Sequence, residues 1–276
     1  MNLNCIKTYS WHILLLLFSM NLLSFCKESN PNNITNTDEL LRYAIGYAEI
    51  DEFDKALVFA TRAYDLEPKN EKVLFELSKI YSTLSGKLLR QFDCVNAKKY
   101  AKKAIALFKD NDSAYNTLSN CAIGEKQFED CIKYAKEEIR LGILYDNRSG
   151  SPYHQLGICN RELRRYNDSI LNFQIALDKG TYSSVNFSYL DVRFSFGRIY
   201  FIKGKRKESK KYLEDFLASL KTVDDQELTR KFIVAEREAI KMLQILESGK
   251  PIGFPVGKEP AFNEDITSRF LKLESE

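Results

Sequence analysis

The sequence predicts an all-α solenoid of about five helix-turn-helix repeats followed by a C-terminal capping helix. Three observations carry that expectation. A small residue recurs twelve positions before a second one in Ala44/Ala56, Ser119/Cys131, Gly157/Ser169 and Gly197/Ser209, and a stretched pair, Ser78/Ala97, is nineteen apart. Large apolar residues flank the small ones at spacings of three and four, which puts them on one stripe of a helix. Only 6 Pro and 12 Gly occur in 276 residues, mostly outside the periodic segments, so little interrupts the helices. Chance amphipathic helices would give the stripe, but not the same offset four times. Self-similarity at a fixed period means units that each bury an apolar face against a neighbour.

The first unit reads Leu40, Tyr43, Ala44 and Tyr47, then Phe53, Ala56, Ala60 and Ala63, and ends at Pro68. The second has Leu74, Leu77, Ser78 and Tyr81, then Ala97, Ala101 and Ala104. The third has Tyr115, Leu118, Ser119 and Ala122, then Phe128, Cys131, Ala135 and a deviant Glu138. The fourth has Tyr153, Leu156 and Gly157, then Tyr166, Ser169, Phe173 and Ala176. The fifth has Phe196, Gly197 and Tyr200, then Ser209, Leu213 and Phe216. This pattern resembles the tetratricopeptide repeat (TPR), whose helix A carries large-x-x-Leu-Gly-x-x-Tyr and whose helix B carries Ala-x-x-x-Phe-x-x-Ala. The fourth copy is closest to it. Small residues on the two helices let the backbones approach, and large ones a turn away fill the grooves beside them.

The second copy carries seven extra residues within 82–95, which either lengthen both helices or form a protruding loop. Residues 179–184, beginning Lys179-Gly180, have helix-stop and turn chemistry. Asp224 and Asp225 open the expected capping helix at its positive end; it runs through Phe232, Ala239, Met242 and Leu246 to Gly249. The tail that follows, with Pro251, Pro255 and Pro260 among glycines, is expected to be extended, with a short helix returning over residues 263–273. Phe254, Phe262 and Phe270 could pack this tail back on the cap or into the protein's own groove.

Residues 1–25 read as an address rather than part of the fold. Lys7 precedes an apolar run, Trp11 to Phe18, that Ser19 and Asn21 interrupt before it can make a comfortable span. The segment resembles a bacterial lipoprotein signal: Leu23-Ser24-Phe25-Cys26 ends it in a Leu-x-x-Cys box, which implies acylation of Cys26. The polar stretch after Cys26 suits a tether between lipid and domain. An uncleaved anchor or simple secretion is the alternative. The expected organisation is therefore a signal peptide over 1–25, a tether over 26–37, five repeats over 38–223, a capping helix over 224–249 and a tail over 250–276.

Composition narrows function. Forty-one basic and 38 acidic residues leave a net charge of +3, without the concentrated basic face that nucleic acid requires, so no nucleic-acid partner is expected. Two histidines, His12 and His154, and no C-x-x-C pair leave histidine-based acid/base chemistry and zinc poorly supplied, so neither metal nor cofactor is expected. Cys94, Cys121, Cys131 and Cys159 read as buried small hydrophobes, with a disulfide as the sharper alternative in an oxidising envelope. Lys203, Lys205, Arg206 and Lys207 lie in an exposed turn. No P-loop, nucleotide fingerprint or nucleophile elbow occurs, and the chain is not expected to be an enzyme.

The TPR resemblance implies a concave surface lined by A helices, with contacts made by residues not used in packing. Those positions are Phe75, Lys79, Asn116, Asn120, His154, Arg161, Phe194 and Arg198. Two Asn a turn apart could clamp a peptide backbone, and Lys79, Arg161 and Arg198 would suit an acidic segment. The expectation is a lipid-anchored scaffold of the bacterial cell envelope, at the outer rather than the inner membrane, holding a protein or peptide partner. A peptide- or small-molecule-sensing module is the second reading. Replacing Cys26→Ala is expected to move the protein from the detergent phase to the aqueous phase on phase separation; unchanged partitioning would remove the acylation assignment.

Overall fold

The computed structural model describes residues 30–144, 149–180, 187–255, 257–262 and 264–273, with backbone alone for 270–273. Cys26 and the whole signal segment lie outside the described residues. After a 3-10 turn at Pro31–Asn33 come thirteen α-helices among the described residues. Five hairpins follow in order: α1 Thr37–Glu49 with α2 Phe53–Leu66; α3 Glu71–Arg90 with α4 Cys94–Leu107; α5 Asp112–Gly124 with α6 Phe128–Leu144; α7 Ser151–Glu162 with α8 Tyr166–Asp178; and α9 Phe187–Ile202 with α10 Arg206–Lys221. Then come α11 Gln226–Lys231, α12 Ile233–Glu247 and α13 Ile266–Leu273. The fold is an all-α, TPR-type solenoid with a terminal cap. Its contacts divide it into two units, 1–80 and 81–276, and each is described by itself.

In the first unit Asn36 caps α1 by accepting from the Glu39 amide, and Asn70 does the same for α3 through the Lys72 amide. Leu40, Leu41, Ala44, Ala56, Ala60 and Ala63 are buried, and the Phe59 ring stacks against Tyr43 and Tyr47 at 5.1 and 5.5 Å. The alanine pair Ala44/Ala56 has no exposed surface, as its place between two close backbones requires.

In the second unit the small-residue pairs show why they are small. A β-carbon at Gly157 would stand 2.4 Å from the Phe173 ring, and one at Gly197 would stand 2.6 Å from Leu213. The small partner twelve residues on contributes a hydrogen bond instead of bulk. Ser169 Oγ donates to the Gly157 carbonyl, and Ser209 Oγ to the Gly197 carbonyl, both at 2.8 Å. In the third repeat the direction reverses, with Ser119 Oγ donating to the Cys131 carbonyl at 3.4 Å.

Every A-to-B turn uses one backbone solution. Asp51, Phe92, Lys126, Arg164 and Gly204 all have φ between 60° and 72°, each two residues before helix B. At each, that residue and its successor donate to carbonyls three and five positions back, as with Arg164 to Arg161 and Arg165 to Asn160. This is the Schellman closure of a helix C-terminus, and only the fifth repeat uses the glycine that it favours.

The seven extra residues of the second repeat all enter helix A. The α3 helix has 20 residues against 13 in α1, while α4 keeps 14, so the insertion forms no loop. The added turns are packed: Ser85 is buried and donates to the Ser82 carbonyl at 2.8 Å and to Thr117 Oγ at 3.2 Å. The cap differs from expectation in one respect. It breaks at Phe232, whose ring is buried 5.8 Å from Phe216 and 5.2 Å from Phe187, so α11 and α12 pack separately. Asp225 caps α11 by accepting from the Glu227 and Leu228 amides at 2.8 and 3.1 Å.

The cysteines divide. Cys131 of α6 and Cys159 of α7 are joined by a disulfide, their Cα atoms 6.5 Å apart, so for this pair the small-hydrophobe reading is corrected. Both side chains occupy the seam where helix B of one repeat meets helix A of the next. Closing their 28-residue separation restricts the unfolded chain by about 3.5 kcal/mol. Cys94 and Cys121 remain thiols, the latter buried with Sγ 3.9 Å from the Cys94 carbonyl.

One substitution at two positions tests this packing. Gly157→Ala is expected to destabilise by about 1–3 kcal/mol through the clash with Phe173. Gly46→Ala, mid-helix with nothing within 4 Å of the new β-carbon, should stabilise by up to about 1 kcal/mol. Urea unfolding followed by circular dichroism reads both, and equal shifts would contradict the close-approach account.

Candidate partner-binding face

The A-helix positions singled out from sequence do not form one kind of surface. Phe75 and Lys79, in the first unit, are exposed on α3. Asn116 and Asn120, on α5, are half-buried and committed internally. Asn116 Nδ2 donates to both Glu138 carboxylate oxygens at 3.1 Å and to Ser151 Oγ at 3.2 Å, while Asn120 Nδ2 donates back to the Asn116 carbonyl at 2.9 Å. A peptide clamp built from their donors is therefore not what this arrangement offers. Glu138 occupies a slot on helix B that the first, second and fourth repeats give to alanine and the fifth to Phe216. Burial pushes its carboxyl up to about 7, against the opposing pull of the Asn116 amide.

His154, Arg161, Phe194 and Arg198 converge, but under cover. Arg161 Nη1 donates to both Asp191 oxygens at 2.9 and 3.1 Å and to Ser195 Oγ at 2.6 Å. His154 Nε2 lies 3.9 Å from Asp191, and burial lowers its pKa against the pull of that carboxylate. Arg198 pairs with Glu238 of α12. Arg161 and Arg198 are only 8% and 4% exposed, so neither is the open groove residue expected of it.

What covers them is the chain's own tail. From Gly249 the backbone turns back over the fifth-repeat turn, where the Phe254 amide donates to the Ile202 carbonyl at 2.9 Å and Gly253 lies against Gly204. Arg206, expected to be merely an exposed turn charge, donates to the carbonyls of Leu246 and Lys250 and so holds the end of α12. Further on, Tyr166 Oη donates to the Pro260 carbonyl at 2.6 Å, Arg164 to the Glu259 carbonyl at 3.0 Å, and Arg198 to the Glu264 carbonyl. The Phe262 ring lies against the guanidiniums of Arg161 and Arg198, at 4.0 and 4.7 Å, with Phe194 edge-on at 6.3 Å. Phe262, Ile266 and Thr267 are buried there. The Phe270 side chain lies outside the described residues.

Beside the seated tail a cleft of ≈ 550 Å³ remains between α9, α12 and residues 262–267. Phe187, Phe194, Phe232 and Val234 give it an apolar floor. Its carboxylates already have partners: Asp191 holds Arg161, Glu238 holds Arg198, Glu264 holds Arg269, and Asp265 caps the start of α13 through Ser268. Exposed Lys231, Arg237 and Lys241 leave the rim cationic. One oxygen of Glu238, Oε1, is buried without a hydrogen-bond partner, and burial pushes that carboxyl up despite Arg198.

No family model matches the chain, and no curated protein matches it. Its fold is similar to that of YrrB, a TPR protein with an unusual peptide-binding site, at a TM-score of 0.51 and 15% identity over 72% of this chain and 93% of that one. It is also similar to MamA (TM-score 0.48, 19% identity, 67% and 92% covered) and to PilW, a type IV pilus biogenesis factor (0.45, 15%, 70% and 82%). The likeness to YrrB concerns the fold alone, and it agrees with the helical hairpins described above: the architecture is that of tetratricopeptide repeats.

The Glu138 carboxyl gives the Asn116 network a pH dependence of defined sign. Folded, it holds its proton up to about pH 7, whereas the unfolded carboxyl releases it near the ordinary glutamate value of 4.5. The folded state thus binds more protons between these values, and stability falls as pH rises through that window. The drop is on the order of 2–3 kcal/mol. Glu138→Gln, whose amide oxygen still accepts from Asn116, should be the more stable protein at pH 8 and should flatten the profile between pH 4.5 and 7.

Proposed function

We propose that this chain is a scaffold lipoprotein of the bacterial cell envelope, anchored through acylated Cys26, whose repeats hold a protein partner near the membrane. The observation that supports a partner-binding role is the cleft at the C-terminal repeats: an apolar floor, a cationic rim of Lys231, Arg237 and Lys241, and lining carboxylates already engaged, Asp191, Glu238 and Glu264 by arginines and Asp265 by Ser268. Such a surface suits an amphipathic segment that places apolar side chains on Phe187 and Val234 and carboxylates at the rim. Phe187 and Val234 are 49% and 75% exposed, so they gain most from being covered. The anchor, the envelope location and the preference for the outer membrane rest on the Leu-x-x-Cys box and the polar stretch that follows it. A binding role, rather than catalysis, is the natural use of repeats whose buried residues pack helices together.

The test is capture of the full-length acylated protein from mild detergent, with crosslinking from lysine. A stoichiometric protein crosslinked through Lys231 or Lys241 is the expected result. Changing Lys231→Glu, Arg237→Glu and Lys241→Glu together should weaken that complex by at least about tenfold at low salt and slow its association. Stability should change little, because the Lys231–Glu227 pair is an exposed one. A protein that stays monomeric and instead gains thermal stability from a metabolite would favour the sensing role.

A further inference from the structure

The tail's seat has the construction of a docking site for a peptide rather than of a generic core. Its two arginines are oriented by groups outside the tail: Arg161 by Asp191 and Ser195, Arg198 by Glu238. The Arg161 guanidinium therefore does not depend on the tail for its geometry, while Arg198 is held from one side by Glu238 and from the other by the tail's Glu264 carbonyl. Against them an aromatic ring gains two cation–π contacts and an edge contact with Phe194. The remaining polar contacts to the tail reach main-chain carbonyls, those of Glu259, Pro260 and Glu264. A segment of suitable side chains that turns into a helix as the tail does presents the same carbonyls. After Phe262 the tail carries Glu264 and Asp265, the first of them 3.6 Å from Arg164.

We propose that residues 259–267 are an internal occupant of a site whose protein partner presents an aromatic side chain followed within three residues by carboxylates, and that tail and partner compete for the Arg161–Arg198 clamp. This rests on reading the A-helix face of the last repeats as partner-binding. The competition has a built-in tether. Residues 252–254 are fixed on the fifth-repeat turn by the Phe254–Ile202 hydrogen bond and the Gly253–Gly204 approach. The distal part leaves and returns through Gly257, whose φ of 83° puts it in the left-handed region that favours glycine. A tethered occupant is present at high effective concentration, so only a partner segment with a matching aromatic displaces it.

The experiment uses the full chain and, as probe, a fluorescein-labelled peptide of this protein's residues 258–269. Wild type should bind it weakly, because its clamp is filled. Phe262→Ala vacates the clamp and should bind the peptide at least roughly tenfold more tightly. The same peptide carrying Phe262→Ala should bind neither protein. Phe262→Leu, which keeps an apolar side chain but loses both guanidinium contacts, should give an intermediate gain, and it stands in should the alanine variant not fold. Equal affinity of wild type and both variants for the peptide overturns the proposal, as does equal binding of the peptides with and without the phenyl ring. The outcome is separable from that of the scaffold reading. A captured partner held equally by wild type and Phe262→Leu leaves the scaffold standing and the tail as a fixed part of the cap. Peptide competition without any captured partner does the reverse.

Discussion

The close approach of helix A to helix B at one small residue is the constraint on which the rest of the repeat depends. At Gly157 and Gly197 the missing β-carbon is the space that the Phe173 ring and the Leu213 side chain occupy, and the serine twelve residues later donates to the glycine carbonyl. The number twelve follows from two invariants. Helix A continues for five residues beyond its small position in the first, third, fourth and fifth repeats, and a three-residue turn with one left-handed residue then delivers the second small residue at the fourth position of helix B. Where α3 runs longer, the offset becomes nineteen. Seven residues are close to two helical turns, so Ser78 and Ala97 keep their phase on the stripe although the helix has grown. That is why the extra residues lengthen the helix and form no loop.

Features of this local kind were legible in the sequence: the small pairs, the aromatic or leucine in each groove, the acidic start of the cap, and the extended tail with a returning helix. Features that join residues through space were not. Cys131 and Cys159 sit in adjacent repeats with unrelated spacing. The available signal was positional, since Cys131 holds the small slot of one helix B and Cys159 stands two residues after the small slot of the next helix A. Glu138 was visible as a deviant residue, but its partner Asn116 lies 22 residues earlier on the facing helix. Arg161 and Arg198 occupy helix A positions that the repeat pattern leaves free, and periodicity says nothing about a segment roughly a hundred residues away for the first and nearer seventy for the second that comes back to cover them.

Burying two guanidiniums is costly unless they find partners, and the partners they find tie tail, cap and last repeats into one core, although Arg198 Nε is left buried without a hydrogen bond. Arg161 has the carboxylates of Asp191 and Glu162, a hydroxyl and the Phe262 ring; Arg198 has a carboxylate, a main-chain carbonyl and the same ring. Neither arrangement leaves a net buried charge. Such ionic cores are weak sources of stability compared with an apolar replacement of the same volume, because desolvation offsets most of the attraction. What they supply is orientation, since a guanidinium held by a carboxylate presents its face at a fixed place.

The cap shows the same division between closing a core and presenting a surface. A terminal element in a repeat array ordinarily buries one face and turns a polar face to water. The α12 helix does the first with Ala239, Met242 and Leu246, which join Leu213, Phe216 and Leu220 in the core of the last repeat. Its other side departs from the second requirement. Ile233, Val234 and Ile240 are exposed, and Lys231, Arg237 and Lys241 surround them. Scattered single apolar residues on a surface need no explanation, but a strip on one helix bordered by cations and continuous with the floor of a cleft is a different matter. A cap selected only for closure would place polar side chains at these positions at no cost to the core beneath. Their apolar character is therefore the feature of the cap that closure of the core does not account for, and of the three Val234 also lines the cleft beside the arginine-held Phe262.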